Sequence, residues 1–176
     1  VREPLGFEFV SRGDPVAGRL WIGPSEGTRP LVLVAPGLGS SKRAPEVEAL
    51  CGALARAGLA AAAIDLPLQG ERASRKLSAR LIDCAKARGR SPTDGRLWAE
   101  FVRQTASDLA AAVAALASRA DLATERLACV AFEPGAEAAE AWAARDPRVE
   151  RVERVAAGAA ADPLARRLRA QLGGAA

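Results

Sequence analysis

Apolar residues alternate with polar ones near the start of the chain and then gather into unbroken runs. Phe7 and Phe9, followed by Val16, Leu20 and Ile22, alternate around Ser11-Arg12-Gly13-Asp14-Pro15. This predicts a β-hairpin with a polar turn. Leu31 to Ala35, Leu59 to Ile64 and Leu127 to Phe132 are continuous apolar runs, the mark of strands buried on both faces. A fourth such strand is expected near Val152 to Ala157. Between the runs the period becomes helical. Pro45 to Ala57 carries Val47, Leu50, Cys51 and Leu54 on one stripe and meets a stop at Gly58. Roughly Leu97 to Arg119 follows, with Trp98, Phe101, Val102, Leu109, Val113 and Leu116 along its apolar side. Shorter helices are expected over Ala136 to Arg145 and Pro163 to Leu172, the last ending at Gly173-Gly174. From Asp65 to Gly95 the pattern predicts a turn and then an excursion with no assigned element.

A hairpin followed by repeated strand-helix units implies one α/β domain over residues 1–176, with a mostly parallel sheet covered by helices on both faces. Sites in such sheets lie at the carboxyl ends of the strands. The loops after the runs at residues 31, 59 and 127 should therefore converge.

Composition narrows the setting. No apolar run reaches the length of a membrane span, and Val1-Arg2-Glu3-Pro4 has no apolar leader segment, so a cytoplasmic location is expected. Cys51, Cys84 and Cys129 have no metal-ligand spacing, and the sequence contains no histidine; buried, reduced thiols are expected, with no metal and no cofactor. The net charge is +4. A local excess of Arg72, Arg75, Lys76, Arg80, Lys86, Arg88 and Arg90 over Glu71 and Asp83 could attract phosphates. It lacks interleaved aromatics and any nucleic-acid motif, so a solvated face is the better reading. Gly37-Leu38-Gly39-Ser40-Ser41-Lys42 does not match the spacing of a phosphate loop.

Four segments carry a resemblance. Phe7 to Asp14 with Gly18-Arg19-Leu20-Trp21 looks like a leading hairpin. Pro30 to Gly39 looks like a strand and an H-G-x-G oxyanion turn. Ala61 to Arg72 looks like a strand with a D-x-P-x-H-G-x-R turn. Val130-Ala131-Phe132-Glu133-Pro134-Gly135 occupies the place of a G-x-S-x-G nucleophile elbow. In this order the segments resemble the α/β-hydrolase superfamily, most closely its esterase and dienelactone-hydrolase-like branch. The likeness covers about residues 5 to 160 and lacks the last strands of a complete member. It implies a serine nucleophile, a histidine base, an orienting carboxylate and two backbone oxyanion donors.

The sequence departs from each of these. Glu133 stands at the nucleophile position. Pro36 and Gln69 stand where the resemblance often has histidine. Pro134 has no N–H to offer an oxyanion, which leaves Leu38, beside Gly37, as the remaining donor of the oxyanion loop. One lost donor costs about 2.7–4 kcal/mol of transition-state stabilisation. Glu133-Pro134 is expected to serve as an ordinary helix start, with proline in the first turn and a negative charge on the macrodipole. The sharper alternative is a residual pocket gathering Glu133, Ser40, Ser41, Asp65, Gln69 and Glu71, in which burial would raise the pKa of Glu133 and make it a general base. A metal held by Glu133, Glu71 and Asp65 has no motif behind it.

The expectation is a fold that has lost its triad and acts as a non-catalytic binding or assembly module. The alternatives are a hydrolase of small esters or lactones, centred on Glu133 or completed by a partner chain, and an anion or nucleic-acid binder using Arg72 to Arg90. The partners expected are a second copy of the chain, through the last strand, the terminal helix (Leu164, Leu168, Leu172) or both, and a small-molecule ligand. Neither a membrane nor a nucleic acid is expected.

Overall fold

The computed structural model describes residues 3–24, 27–86, 92–156 and 158–173. The predicted hairpin forms from β1 (Leu5–Ser11) and β2 (Asp14–Ile22), paired antiparallel with Phe9 opposite Val16. Its turn residues Arg12 and Gly13 both have positive φ, the geometry that matches a tight turn to the twist of the strands. The remaining strands are β3 (Arg29–Ala35), β4 (Ala60–Ile64), β5 (Leu122–Phe132) and β6 (Val149–Val155). They join one six-stranded sheet in the order β1-β2-β4-β3-β5-β6. β4, β3, β5 and β6 run parallel, and β2 meets β4 antiparallel.

The helices are α1 (Pro45–Arg56), α2 (Arg75–Lys86), α3 (Pro92–Leu116), α4 (Ala136–Ala143) and α5 (Ala161–Leu172), with a 3-10 turn at Gly70–Arg72. Strand alternation sorts their partners. Leu31 and Leu33 face a core shared with Leu81, Phe101, Leu109, Val113 and Trp142, so α2, α3 and α4 cover that face. Val32 and Val34 face Val47, Leu50, Leu54, Leu164 and Leu168, so α1 and α5 cover the other. Ala60 to Ala63 of β4 are wholly buried; the bulk between the layers comes from the leucines and valines of the helices. A buried leucine of this kind contributes about 1.5–3 kcal/mol.

Several boundaries differ from the sequence expectation. β5 begins at Leu122, five residues early, because its polar Glu125 and Arg126 lie before the buried stretch, and the pairing shifts at Pro30/Leu31. α3 begins at Pro92, a residue whose missing N–H suits a helix start. α2 occupies the stretch left unassigned; it buries only Leu81 and Cys84, too few apolar positions to stand out in the pattern. The leucines of the terminal helix are not free for a second copy: Leu164, Leu168 and Leu172 are buried against α1 and the sheet. Arg88, Arg90, Ala157 and Gly174 lie outside the described residues. Cys51, Cys84 and Cys129 are buried; burial pushes the pKa of the Cys129 thiol up to about 12. Among the described residues no helix is long and apolar enough to cross a membrane.

Candidate functional site

The loops after β3, β4 and β5 meet, as the topology requires. Their meeting is organised by a residue the sequence reading passed over. Lys42, at the end of the Gly37–Ser41 turn, is buried, and its Nζ lies 2.6 Å from Asp65 Oδ2 and 2.7 Å from Glu71 Oε2. Asp65, equally buried, also accepts the backbone N–H of Lys42 at 2.8 Å and of Glu71 at 3.0 Å. The carboxylate thus ties the turn after β3 to the turn after β4. Gly70 makes this possible. Its φ is +54°, and a Cβ there would stand 2.3 Å from Asp65 Cγ. The hydrogen bond and charge of Lys42 hold the Glu71 carboxyl below its usual range. Asp65 ends a buried strand, and a charge taken out of water needs a partner; that requirement was the signal available for Lys42.

A second pair extends the network. Arg72 donates to Asp108 of α3 at 2.6 Å and to the Asp65 carbonyl at 3.1 Å, and Asp108 is fully buried. Arg72 is therefore committed to the fold rather than part of a solvated cationic face, while Arg75 and Lys76 are exposed.

The elbow lies apart from this network. β5 ends at Phe132, and three residues lead to α4, whose N-cap is Gly135. Pro134 precedes the cap, so it does not sit in the first helical turn, and the ordinary helix start expected of Glu133-Pro134 is not what forms. The Glu133–Pro134 peptide bond is cis. The Glu133 side chain is 39% exposed and turns to Arg154 of β6, at 3.1 Å. Arg154 also grips Glu140 of α4, whose carboxyl it holds low. The burial that would make Glu133 a general base is absent.

The oxyanion turn is closed as well. The Leu38 N–H, the donor expected to survive, gives its hydrogen bond to the Pro134 carbonyl at 3.0 Å. Gly37 lets the turns after β3 and β5 approach: a Cβ there would meet the Glu133 carbonyl at 3.0 Å. Buried Pro36 leads into the turn. Gln69 accepts the Gly39 N–H at 2.7 Å, and its own Nε2 is buried without a partner among the described residues. Ser40 donates to Glu46 at 2.9 Å, and Ser41 accepts from the Arg43 N–H. Asp65, Glu71 and Lys42 are thus brought together, Gln69 joins the Gly39 turn, and Glu133 joins neither. No group of three or more metal-ligating side chains occurs among the described residues.

Three cavities flank the network; one of about 650 Å³ lies among Phe7, Glu8, Arg19, Lys42, Arg43 and Glu71, and the two others are smaller. One of about 190 Å³ is lined by Glu8, Val16, Lys42, Asp65, Glu71 and Arg72. The other, about 470 Å³, lies among Pro67, Leu68, Arg72, Leu77, Leu97 and Phe101. None of the three is lined by Glu133.

No protein-family model matches the sequence, and neither does any curated protein sequence. Solved structures do match. A cold-adapted esterase from an Arctic intertidal metagenomic library, in a PEG-bound complex, superposes with a TM-score of 0.64 at 22% identity, over 85% of this chain and 58% of its own. The α/β hydrolase GrgF from Penicillium sp. sh18 gives 0.63 at 18%, over 86% and 45%. The 2,6-dihydroxy-pseudo-oxynicotine hydrolase gives 0.59 at 20%, over 83% and 34%. The fold is that of the α/β hydrolases, and this chain spans less than three-fifths of the length of each of these structures.

Proposed function

We propose that this chain is an α/β-hydrolase-fold module that binds or assembles without hydrolysing. The observation that carries the reading is the state of the elbow. Acyl transfer needs two N–H donors aimed at one oxygen and a nucleophile beside them. Here Pro134 supplies no N–H, the Leu38 N–H is taken by the Pro134 carbonyl, and Glu133 points to Arg154. Residues beyond this chain could bring a histidine or an acid; they would not give Pro134 an N–H. Support for binding comes from the 470 Å³ cavity, whose size suits a small ligand, and from the unused buried donor of Gln69.

A second reading is hydrolysis of small esters or lactones by an unconventional site around Glu133 or one completed by a partner chain. The esterase and hydrolases among the structural matches favour it. Turnover of a panel of aryl esters and lactones by this chain and by Glu133→Gln separates the two. The first reading expects both proteins to match the buffer rate. Saturable turnover lost in Glu133→Gln would overturn it.

A further inference from the structure

β6 ends the sheet, and its outer side pairs with no other strand among the described residues. Its sequence, Val149-Glu150-Arg151-Val152-Glu153-Arg154-Val155, repeats valine, acid, base. We infer that β6 pairs antiparallel with β6 of a second copy, about a two-fold axis at Val152. This names the partner of the assembly reading above and rests on it in that respect alone. Ester hydrolysis would sink the earlier reading and leave the pairing standing; a strictly monomeric chain would do the reverse.

Charge selects the register. With Val152 opposite Val152, each Arg151 faces Glu153 of the other copy and each Glu150 faces Arg154. Opposite charges across a ladder attract and like charges repel. A slip of one residue sets Glu150 against Glu153 or Arg151 against Arg154. A slip of two sets Arg151 on Arg151 or Glu153 on Glu153. A slip of three restores opposite charges but leaves little more than half the strand paired. The sheet's other edge lacks this property: about its centre β1 would place Glu8 on Glu8.

The edge is also available. Glu150, Arg151 and Arg154 are exposed. Their present partners are Arg126 for Glu150, Glu133 and Glu140 for Arg154, and Glu153 for Arg151; the Glu153 carboxylate is 12% exposed and also accepts from Arg167 at 3.0 Å. The exposed pairs hold weakly and can be exchanged, and at Glu153 the exchange replaces one arginine by another. The pairing with β5 skips Glu150, which is bulged, and is regular from Arg151 to Val155. The three central contacts therefore lie on or beside regular backbone, and only the Glu150–Arg154 contact falls at the bulge.

The test is sedimentation of the wild-type chain over a concentration series, with Arg151→Glu, Glu153→Arg and the double exchange, each checked for an unchanged thermal midpoint. Each single variant places like charges opposite each other twice per dimer and should weaken association about tenfold or more; the double exchange should restore it. Val152→Cys should cross-link under mild oxidation, because directly opposed Cα atoms lie about 4.5–5.5 Å apart, and the native thiols are buried. A monomer at every concentration overturns the inference, as does a dimer that tolerates the single exchanges and leaves Val152→Cys uncross-linked. If the edge is instead the seat of a strand from elsewhere in a longer polypeptide or from another protein, this chain stays monomeric and uncross-linked, which also overturns it.

Discussion

Replacing Lys42 with methionine isolates the energetics of the loop network. Methionine keeps most of the apolar stem and removes the ammonium. In the native chain Lys42 is 3% exposed and Asp65 2%, so the change leaves a carboxylate buried without its counter-charge. Breaking a buried pair from one side costs about 3–5 kcal/mol. Asp65 keeps the N–H groups of Lys42 and Glu71, which places the expected loss near the lower end, about 3 kcal/mol. Glu71, by contrast, is 55% exposed, and Glu71→Gln should cost under about 1 kcal/mol. Asp65→Asn combined with Lys42→Met should cost less than the sum of the single changes, since the two side chains act on each other. Urea unfolding followed by the fluorescence of buried Trp21 and Trp142 measures the wild type, the three single variants and the double variant. A Lys42→Met variant within about 0.5 kcal/mol of wild type, or strict additivity with Asp65→Asn, would show that the Lys42–Asp65 pair does not hold the loops together.

Gly70→Ala should destabilise by about 1–3 kcal/mol from the left-handed backbone alone, with a further cost from the Cβ pressed on Asp65; unfolding at the wild-type midpoint would contradict it. Leu168→Ala, at a wholly buried position of α5, should cost about 2–5 kcal/mol without changing self-association; a lost dimer at unchanged stability would show that α5, not β6, is the interface. Glu71 has a depressed pKa in the folded chain, so its contribution is present above the unfolded value and is lost as pH falls through the carboxylate range. The acid limb of the stability profile should therefore be shallower in Glu71→Gln, and superimposable slopes would count against the Lys42–Glu71 bond.

The strands were readable because burial on both faces leaves continuous apolar runs: Leu31 to Ala35 and Leu127 to Phe132 stand in the core as their composition requires. Gly58 stops α1 in the left-handed conformation that its place after the helix implied. The interior charges were not readable in the same way. Lys42 and Arg72 look like surface cations in the local pattern, and only the folded chain brings Asp65 and Asp108 against them. Pro134 shows the same limit. Its missing N–H was evident from its identity, but the bond from Leu38 to its carbonyl depends on how two distant loops meet. The Glu133–Arg154 contact likewise joins the elbow to a strand that the sequence placed only roughly.

The closed elbow is put to the test by the progress curve of a chromogenic aryl ester, followed with the protein at a concentration comparable to the substrate. A linear trace at the buffer rate is expected, with no burst, identical for the wild-type chain and Glu133→Gln. A burst of phenolate release stoichiometric with protein, absent in Glu133→Gln, would contradict it.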